Sequence, residues 1–320
     1  MKNINVCLSC DNKYAKYAGV VITSILKNAD KEDKLCVYVL DGGICEDNKN
    51  KILSLKNIKD CEINFVDINE NMFSDFKSIT THSYISLPAY FRLKMPSLLP
   101  EIHRIIYFDC DVIVENSLRK LFNTDMGEYA IAGVADIKKK MQKINPTYTN
   151  SGILVMDLDN MRKQNLESKF FEYTQKHFSE IVCGDQEIIN AVLNGQIKNI
   201  DSKWNVQISN FSNRSDYTKH PNIVHYIGKN KPWQYASFSY RKDLYYKYLQ
   251  LSPWALDKKE WFKYRVKGEI VGLFKYLIHR PLFFLRPKFW YAFYKTYICA
   301  DIKFNNFKLL RNSKTRSKNG

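Results

Sequence analysis

Arg104-Ile105-Ile106-Tyr107-Phe108-Asp109-Cys110-Asp111 is the stretch on which the fold turns. Its apolar run reads as a strand buried on both faces, since such strands carry near-continuous hydrophobics rather than alternation. Two carboxylates one residue apart then follow, where the strand should end. On an extended backbone, side chains at i and i+2 share a face. In open α/β sheets, ligands sit beyond the carboxyl ends of the strands. Two hard oxygen donors placed there suit a divalent cation such as Mg²⁺ or Mn²⁺. Asp-x-Asp is also common in solvated turns, so the pair takes its meaning from the rest of the chain.

Outward from this stretch, strands alternate with helices. Ile4–Cys10, Cys36–Leu40 and Cys61–Ile68 read as strands. Between them, Tyr14–Asn28 carries a helical stripe through Tyr17, Val20, Val21, Ser24 and Ile25, and Glu46–Ile58 turns Ile52 and Leu55 inward. A helix broken at Pro88 and Pro96 is expected over Ser83–Leu99. Val112-Ile113-Val114 continues the chain after the aspartates, Ala130–Val134 and Gly152–Asp157 are later strands, and Met161–Phe178 and Asp185–Leu193 are helices. A short strand at Ile223–Ile227 comes last. This alternation with short connections predicts an α/β fold, a Rossmann-like, mostly parallel sheet flanked by helices.

The 320 residues allow one large domain with an appendage. Met1-Lys2-Asn3 leads directly into Ile4-Asn5-Val6-Cys7-Leu8, which alternates like a strand, so no secretory signal is expected. No 18-residue apolar window occurs, so no transmembrane helix is expected. The eight cysteines lack framework spacing and suit buried thiols of a cytoplasmic protein. Cys7 and Cys10 form C-x-x-C, but i and i+3 of a strand face opposite ways, which argues against zinc or redox chemistry. The net charge of +16 is uneven: residues 254–320 hold sixteen Lys and Arg against four Asp and Glu, leaving only +4 to the preceding 253 residues. The expected organisation is a catalytic domain over 1–253, a basic aromatic helical region over 254–311 and a disordered tail over 312–320.

Further motifs accompany the aspartates: Leu8-Ser9-Cys10-Asp11-Asn12-Lys13-Tyr14, Ala89-Tyr90-Phe91-Arg92-Leu93-Lys94, Asn150-Ser151-Gly152-Ile153-Leu154, Gly184-Asp185-Gln186 and His225-Tyr226-Ile227-Gly228-Lys229-Asn230-Lys231-Pro232-Trp233. Together, over roughly residues 3–235, they resemble glycosyltransferase family 8, in particular its bacterial lipopolysaccharide α-galactosyl- and α-glucosyltransferases. The resemblance implies a GT-A fold, a UDP-galactose or UDP-glucose donor, Mn²⁺ (with Mg²⁺ as the alternative) and retention of anomeric configuration. It makes Asp109, Asp111 and His225 the metal ligands. Cys110 lies between the two acids at the nucleotide site.

The residue chemistry is compatible with these roles. Ser9, Asp11 and Tyr14 lie at the turn after the first strand, where Tyr14 can stack on a base and Asp11 can accept from base or ribose. Asp11 is equally placed to cap the following helix. His225 offers a neutral imidazole, though a histidine on a strand also serves as an ordinary core residue. Gly228 permits close backbone approach to a phosphate, and Lys231 brings a point charge to it. Arg92 and Asp136 look like the family's donor-sugar contacts, with Asn150 and Asp185 close by. Arg92 also reads as a helix-surface charge, and Asp136 as a loop cap. The resemblance places Gln186, an amide, where double displacement would need a carboxylate, which favours front-side attack and leaves Asp185 as the alternative nucleophile.

In the tail, Trp261-Phe262-Lys263-Tyr264-Arg265, Phe283–Tyr291 and Phe293-Tyr294-Lys295 interleave rings with cations. That mixture suits a membrane surface with anionic headgroups, although a basic appendage packed on the core has the same composition. No nucleic-acid recognition motif accompanies it. The expectation is a transferase acting on a glycolipid acceptor, peripheral on the inner face of the cytoplasmic membrane. A transferase acting on a protein or polysaccharide, and a non-catalytic UDP-sugar-binding protein, are the competing readings.

Overall fold

β1 (Ile4–Cys10), β4 (Arg104–Phe108) and β7 (Thr149–Asp157) are almost wholly buried and lie side by side, as their apolar runs require. They belong to a seven-stranded sheet of order β3-β2-β1-β4-β7-β6-β8, with β2 at Leu35–Asp41, β3 at Cys61–Asp67, β6 at Ile131–Ala135 and β8 at Lys198–Asn199. β3 through β4 run parallel, and β7 alone opposes the rest by pairing antiparallel with β4 and β6. β3 is one edge strand, and its exposure alternates accordingly. This computed structural model describes residues 3–73, 87–137, 147–208, 220–235, 237, 239–279, 281–287 and 290.

α1 (Ala15–Asn28) covers β1 and β5 (Val112–Val114) with Val20, Val21, Ile22 and Ile25. Ser24 Oγ accepts the Val114 N–H at 3.0 Å and Asn28 Nδ2 donates to the Val114 carbonyl at 2.9 Å, so polar members of the helix tie down a three-residue strand. The core on the sheet includes Cys7, Tyr90, Phe91, Tyr107, Leu154, Met156, Phe170, Ile188 and Ile189.

Several sequence expectations need correction. Within Ser83–Leu99, residues 83–86 lie outside the description; the remainder is a 3₁₀ turn over Leu87–Lys94, then a single α turn, α3 (Met95–Leu98), because Pro88 and Pro96 deny continuous i→i−4 bonding. The helix over Glu46–Ile58 is α2 (Glu46–Leu53) followed by 3₁₀. After α4 (Arg119–Phe122), the single helix Met161–Phe178 is two: α5 (Leu158–Lys163), capped by Asp157, and α6 (Leu166–His177). The break is Asn165, whose φ of 53° leaves the helical region. Val112–Val114 also does not prolong β4. It joins β9 (Val206–Ile208) and β10 (Ile223–Tyr226) in a second, three-stranded sheet of order β5-β10-β9.

The chain divides into two compact units, one comprising residues 1–207 with 218–225 and the other residues 208–217 with 226–320. The second unit contains α8 (Lys242–Leu251), α9 (Lys258–Trp261) with an Asp257/Glu260 capping box, a π turn over Phe262–Lys267, and α10 (Gly268–His279). Trp233, Tyr245, Tyr246 and Trp261 form a chain of ring contacts within it. Pro281 begins a short 3₁₀ segment to Leu285. Phe293-Tyr294-Lys295 and the tail 312–320 lie outside the described residues, as do Lys288, Phe289 and Tyr291. Among the described residues no helix is long and apolar enough to cross a membrane, and the cysteines are all thiols.

Candidate active site

The two acids do not converge as alternate residues of a strand. β4 ends at Phe108, and Asp109-Cys110-Asp111 is the turn leading to β5. Asp109 is anchored by its N–H, which donates to the Gly152 carbonyl on β7 at 2.8 Å. β10 then delivers the histidine, since His225 pairs with Val112, the neighbour of Asp111. His225 Nε2 consequently lies 3.2 Å from Asp111 Oδ1 and 3.9 Å from Asp109 Oδ2. One ligand atom from each residue falls within 4.8 Å of the others. In an octahedral site with bonds of about 2.1 Å, neighbouring ligands lie roughly 3 Å apart and opposite ones roughly 4 Å. The spacing and the donor set, two carboxylates and an imidazole, therefore fit one divalent cation.

Gly152 is required by this packing. A Cβ there would fall 2.8 Å from Asp109 Oδ2, 2.9 Å from His225 Nε2 and closer still to the ring's Cε1.

Arg92 stands behind the acids, buried, rather than on a helix surface. It donates to Asp109 Oδ1 and to the Ser151 carbonyl at 2.6 Å each, lies 3.2 Å from Asp185 Oδ2, and stacks 4.0 Å over the Tyr107 ring. Burial works against the guanidinium charge, but Asp109 and Asp185 outweigh it and push its pKa up. Burial also raises the Asp185 pKa; Arg92 opposes that rise, and Asp109 adds to it. One cation facing two carboxylates leaves the more buried of them incompletely compensated.

A chain of amides runs from the histidine. His225 Nδ1 is 3.0 Å from Asn205 Oδ1, and Asn205 Nδ2 donates to Asn150 Oδ1 at 2.9 Å. Asn150 Nδ2 donates to Gln186 Oε1 at 3.1 Å, and Gln186 Nε2 to Asp136 Oδ2 at 3.0 Å. Gln186 and Asp185 open α7 (Asp185–Leu193), which Asn190 fastens to β7 by exchanging hydrogen bonds with the Thr149 N–H and carbonyl at 2.7 and 2.8 Å.

The turn after β1 borders the acids. Cys110 Sγ donates to the Ser9 carbonyl at 3.4 Å, and Ser9 Oγ and Tyr107 OH lie 2.7 Å apart. Asp11 Oδ1 accepts the Tyr14 N–H at 2.9 Å, as the capping alternative expects. The Tyr14 ring is partly exposed, and its phenol is pushed up by burial first and then by the nearby Asp111 charge. The first unit thus brings together Asp109, Asp111, His225, Arg92, Asn150, Asp136, Asp185 and Gln186, with Ser9, Cys110, Asp11 and Tyr14 at their edge. Gly228 and Lys231 belong to the second unit, where Gly228 has φ 78° and Lys231 Nζ donates to the Tyr226 carbonyl at 2.7 Å. Sequence reading missed Gly152 as a packing requirement and missed Asn205, which sits after a 3₁₀ turn with no periodicity to mark it.

Residues 5–237 match the model of "Glycosyl transferase family 8". The chain belongs to this family. Among curated members of related sequence, General stress protein A of Bacillus subtilis is 32% identical over 77% of this chain and 93% of its own length. The lipopolysaccharide 1,2-glucosyltransferase of Escherichia coli is 24% identical over 79% of this chain and 80% of its own. The galactosyltransferase LgtC, solved in complex with donor and acceptor sugar analogs, superposes with a TM-score of 0.68 at 23% identity, covering 81% of this chain and 99% of that one. The family 8 chain described here is a glycosyltransferase with the GT-A fold, its large sheet mostly parallel and flanked by helices.

Proposed function

We propose that this family 8 protein is a Mn²⁺-dependent retaining hexosyltransferase. It would move galactose or glucose from a UDP donor to a lipopolysaccharide or lipooligosaccharide core acceptor. The observation that carries this reading is the convergence of Asp109, Asp111 and His225 at the carboxyl end of β4. A nitrogen donor among oxygens tilts selectivity toward Mn²⁺ over Mg²⁺. Bound there, the cation would offset charge growing on the departing diphosphate. The names of the lipopolysaccharide glucosyltransferase and of the galactosyltransferase LgtC support a hexose as the group moved, and the first of them a lipopolysaccharide acceptor.

The chain's own residues take the remaining roles. Asp11 and Tyr14 hold the nucleoside, with Ser9 and Cys110 forming the backbone edge beside it. Gly228 and Lys231 receive the diphosphate. Arg92, Asp136, Asn150 and Asp185 hold the hexose. Gln186 is engaged at both ends of its amide, which suits a positioning role and disfavours nucleophilic attack. Asp185 is buried against Arg92. Front-side displacement follows, in which the acceptor hydroxyl enters on the face the diphosphate leaves and a phosphate oxygen takes its proton. The basic region from residue 254 would hold the enzyme to the inner face of the cytoplasmic membrane. Its described part exposes Phe274, Ile278, Leu282, Leu285 and Trp290 on short helical segments, which favours a lipid surface over a wholly packed appendage.

A panel of UDP-sugars incubated with the enzyme and Mn²⁺, scored for released UDP, tests the donor and metal assignments. Hydrolysis confined to UDP-galactose or UDP-glucose and abolished by chelator is expected. Equal rates with chelator, or no turnover of any UDP-sugar, would overturn them.

A further inference from the structure

We propose that Asn205 is a positioning residue for the metal site, holding His225 in the tautomer whose Nε2 lone pair faces Asp109 and Asp111. The proposal deepens the metal-dependent transferase reading above and rests on it for its function, but the tautomer assignment rests on hydrogen-bond polarity alone.

The polarity is fixed by groups that have no choice. The Ser151 N–H must donate, and its partner at 3.2 Å is Gln186 Oε1. The other end of that amide, Nε2, therefore points to Asp136 Oδ2, where a carboxylate can accept it. The Gly152 N–H must also donate, and at 3.1 Å it meets Asn150 Oδ1. Asn150 Nδ2 is thereby turned to Gln186 Oε1. Because Asn150 Oδ1 is an acceptor, the Asn205 atom 2.9 Å from it must be Nδ2. Asn205 Oδ1 is then the atom 3.0 Å from His225 Nδ1, and it can only accept. Nδ1 therefore carries a proton, and Nε2 is the ring nitrogen that can offer its lone pair to a cation.

This arrangement has a clear consequence at the other side of the ring. Nε2 faces Asp111 Oδ1 at 3.2 Å and Asp109 Oδ2 at 3.9 Å, so a cation replacing any proton on Nε2 would meet three acceptors around one point. Asn205, Asn150 and His225 are all buried, leaving little water to substitute for a missing partner. The same amides continue to Gln186 and Asp136, which ties the ring's orientation to the sugar-binding side of the site. Groups that hydrogen-bond the far nitrogen of a ligating histidine are worth ~10–100-fold in metal affinity.

Two measurements test this. In protein labelled with ¹⁵N-histidine, long-range ¹H–¹⁵N correlation should show His225 protonated at Nδ1 without metal; protonation at Nε2 alone would overturn the proposal, whatever the metal does. Mn²⁺ affinity, read by electron paramagnetic resonance in the presence of UDP, should fall ~10–100-fold in Asn205→Ala. Asn205→Asp keeps an acceptor for Nδ1 and should restore affinity to within about threefold of wild type, since carboxylate–histidine–metal triads are common, while turnover stays reduced because the donation to Asn150 is lost. Equal affinity loss in both variants would mark a structural role and refute positioning, and no loss in Asn205→Ala would refute it directly. If wild type binds no Mn²⁺, the metal reading fails while the histidine correlation still decides the tautomer.

Discussion

Gly152→Ala should disable the enzyme while leaving it folded. Gly152 lies outside the left-handed backbone region, so alanine brings no conformational strain and the effect is steric. The added methyl would sit 2.9 Å from His225 Nε2 and 2.8 Å from Asp109 Oδ2, where ordinary contact begins at 3.4 Å. The ring's Cε1 is closer still, so the imidazole must retreat by roughly an ångström or more and the carboxylate by roughly half an ångström. Overpacking of this size costs about 1–3 kcal/mol of stability. A misplacement of about 1 Å costs about 10²-fold in rate. Thermal melting should show a folded protein with a modestly lowered Tm. UDP-hexose hydrolysis should drop about a hundredfold at saturating donor, and Mn²⁺ affinity should fall with it. Turnover and Mn²⁺ affinity both within threefold of wild type would refute the idea that His225 and Asp109 must close over this residue.

Asp111→Ala should abolish Mn²⁺ binding and turnover with little change in Tm, since its side chain is only partly buried; retained Mn²⁺-dependent turnover would contradict it. Arg92→Met strands the Asp185 carboxylate and should cost about 3–5 kcal/mol in urea unfolding. Asp185 has a pKa raised above its ordinary 3.8, so between that value and the raised one the folded state keeps a proton the unfolded chain has lost. Wild-type stability should fall as pH rises through that window, and Asp185→Asn should gain on wild type from pH ~3.5 toward neutrality; a constant difference across the series would count against it. Replacing exposed Ile278, Leu282 and Leu285 by Asp should weaken sedimentation with phosphatidylglycerol vesicles at least tenfold; unchanged pelleting would remove these residues from membrane binding.

The strands were legible because their physics is local. The unbroken apolar runs at Ile4–Cys10 and Arg104–Phe108 are central strands, and the alternation over Cys61–Asp67 is an edge. Two kinds of feature escaped. Asn165 breaks a helix that periodicity carries straight through, because a single left-handed residue leaves the apolar spacing intact. The second sheet escaped because pairing Ile223–His225 with Val112–Val114 joins segments over a hundred residues apart, and no local pattern encodes that register. The same limit governs the site. Asp109, Asp111 and His225 were visible as chemistry-bearing residues. Arg92 read equally well as a surface cation until burial between two carboxylates decided it. Asn205 acts through an amide chain joining residues far apart in sequence, which spacing along one element cannot display.

A crystal grown with UDP and MnCl₂ and measured at the manganese absorption edge gives the most direct test. One anomalous peak should lie within about 2.3 Å of an oxygen from Asp109, an oxygen from Asp111 and His225 Nε2. Bound UDP with no peak among these three side chains, or a peak held elsewhere, would contradict the metal site on which the proposed chemistry depends.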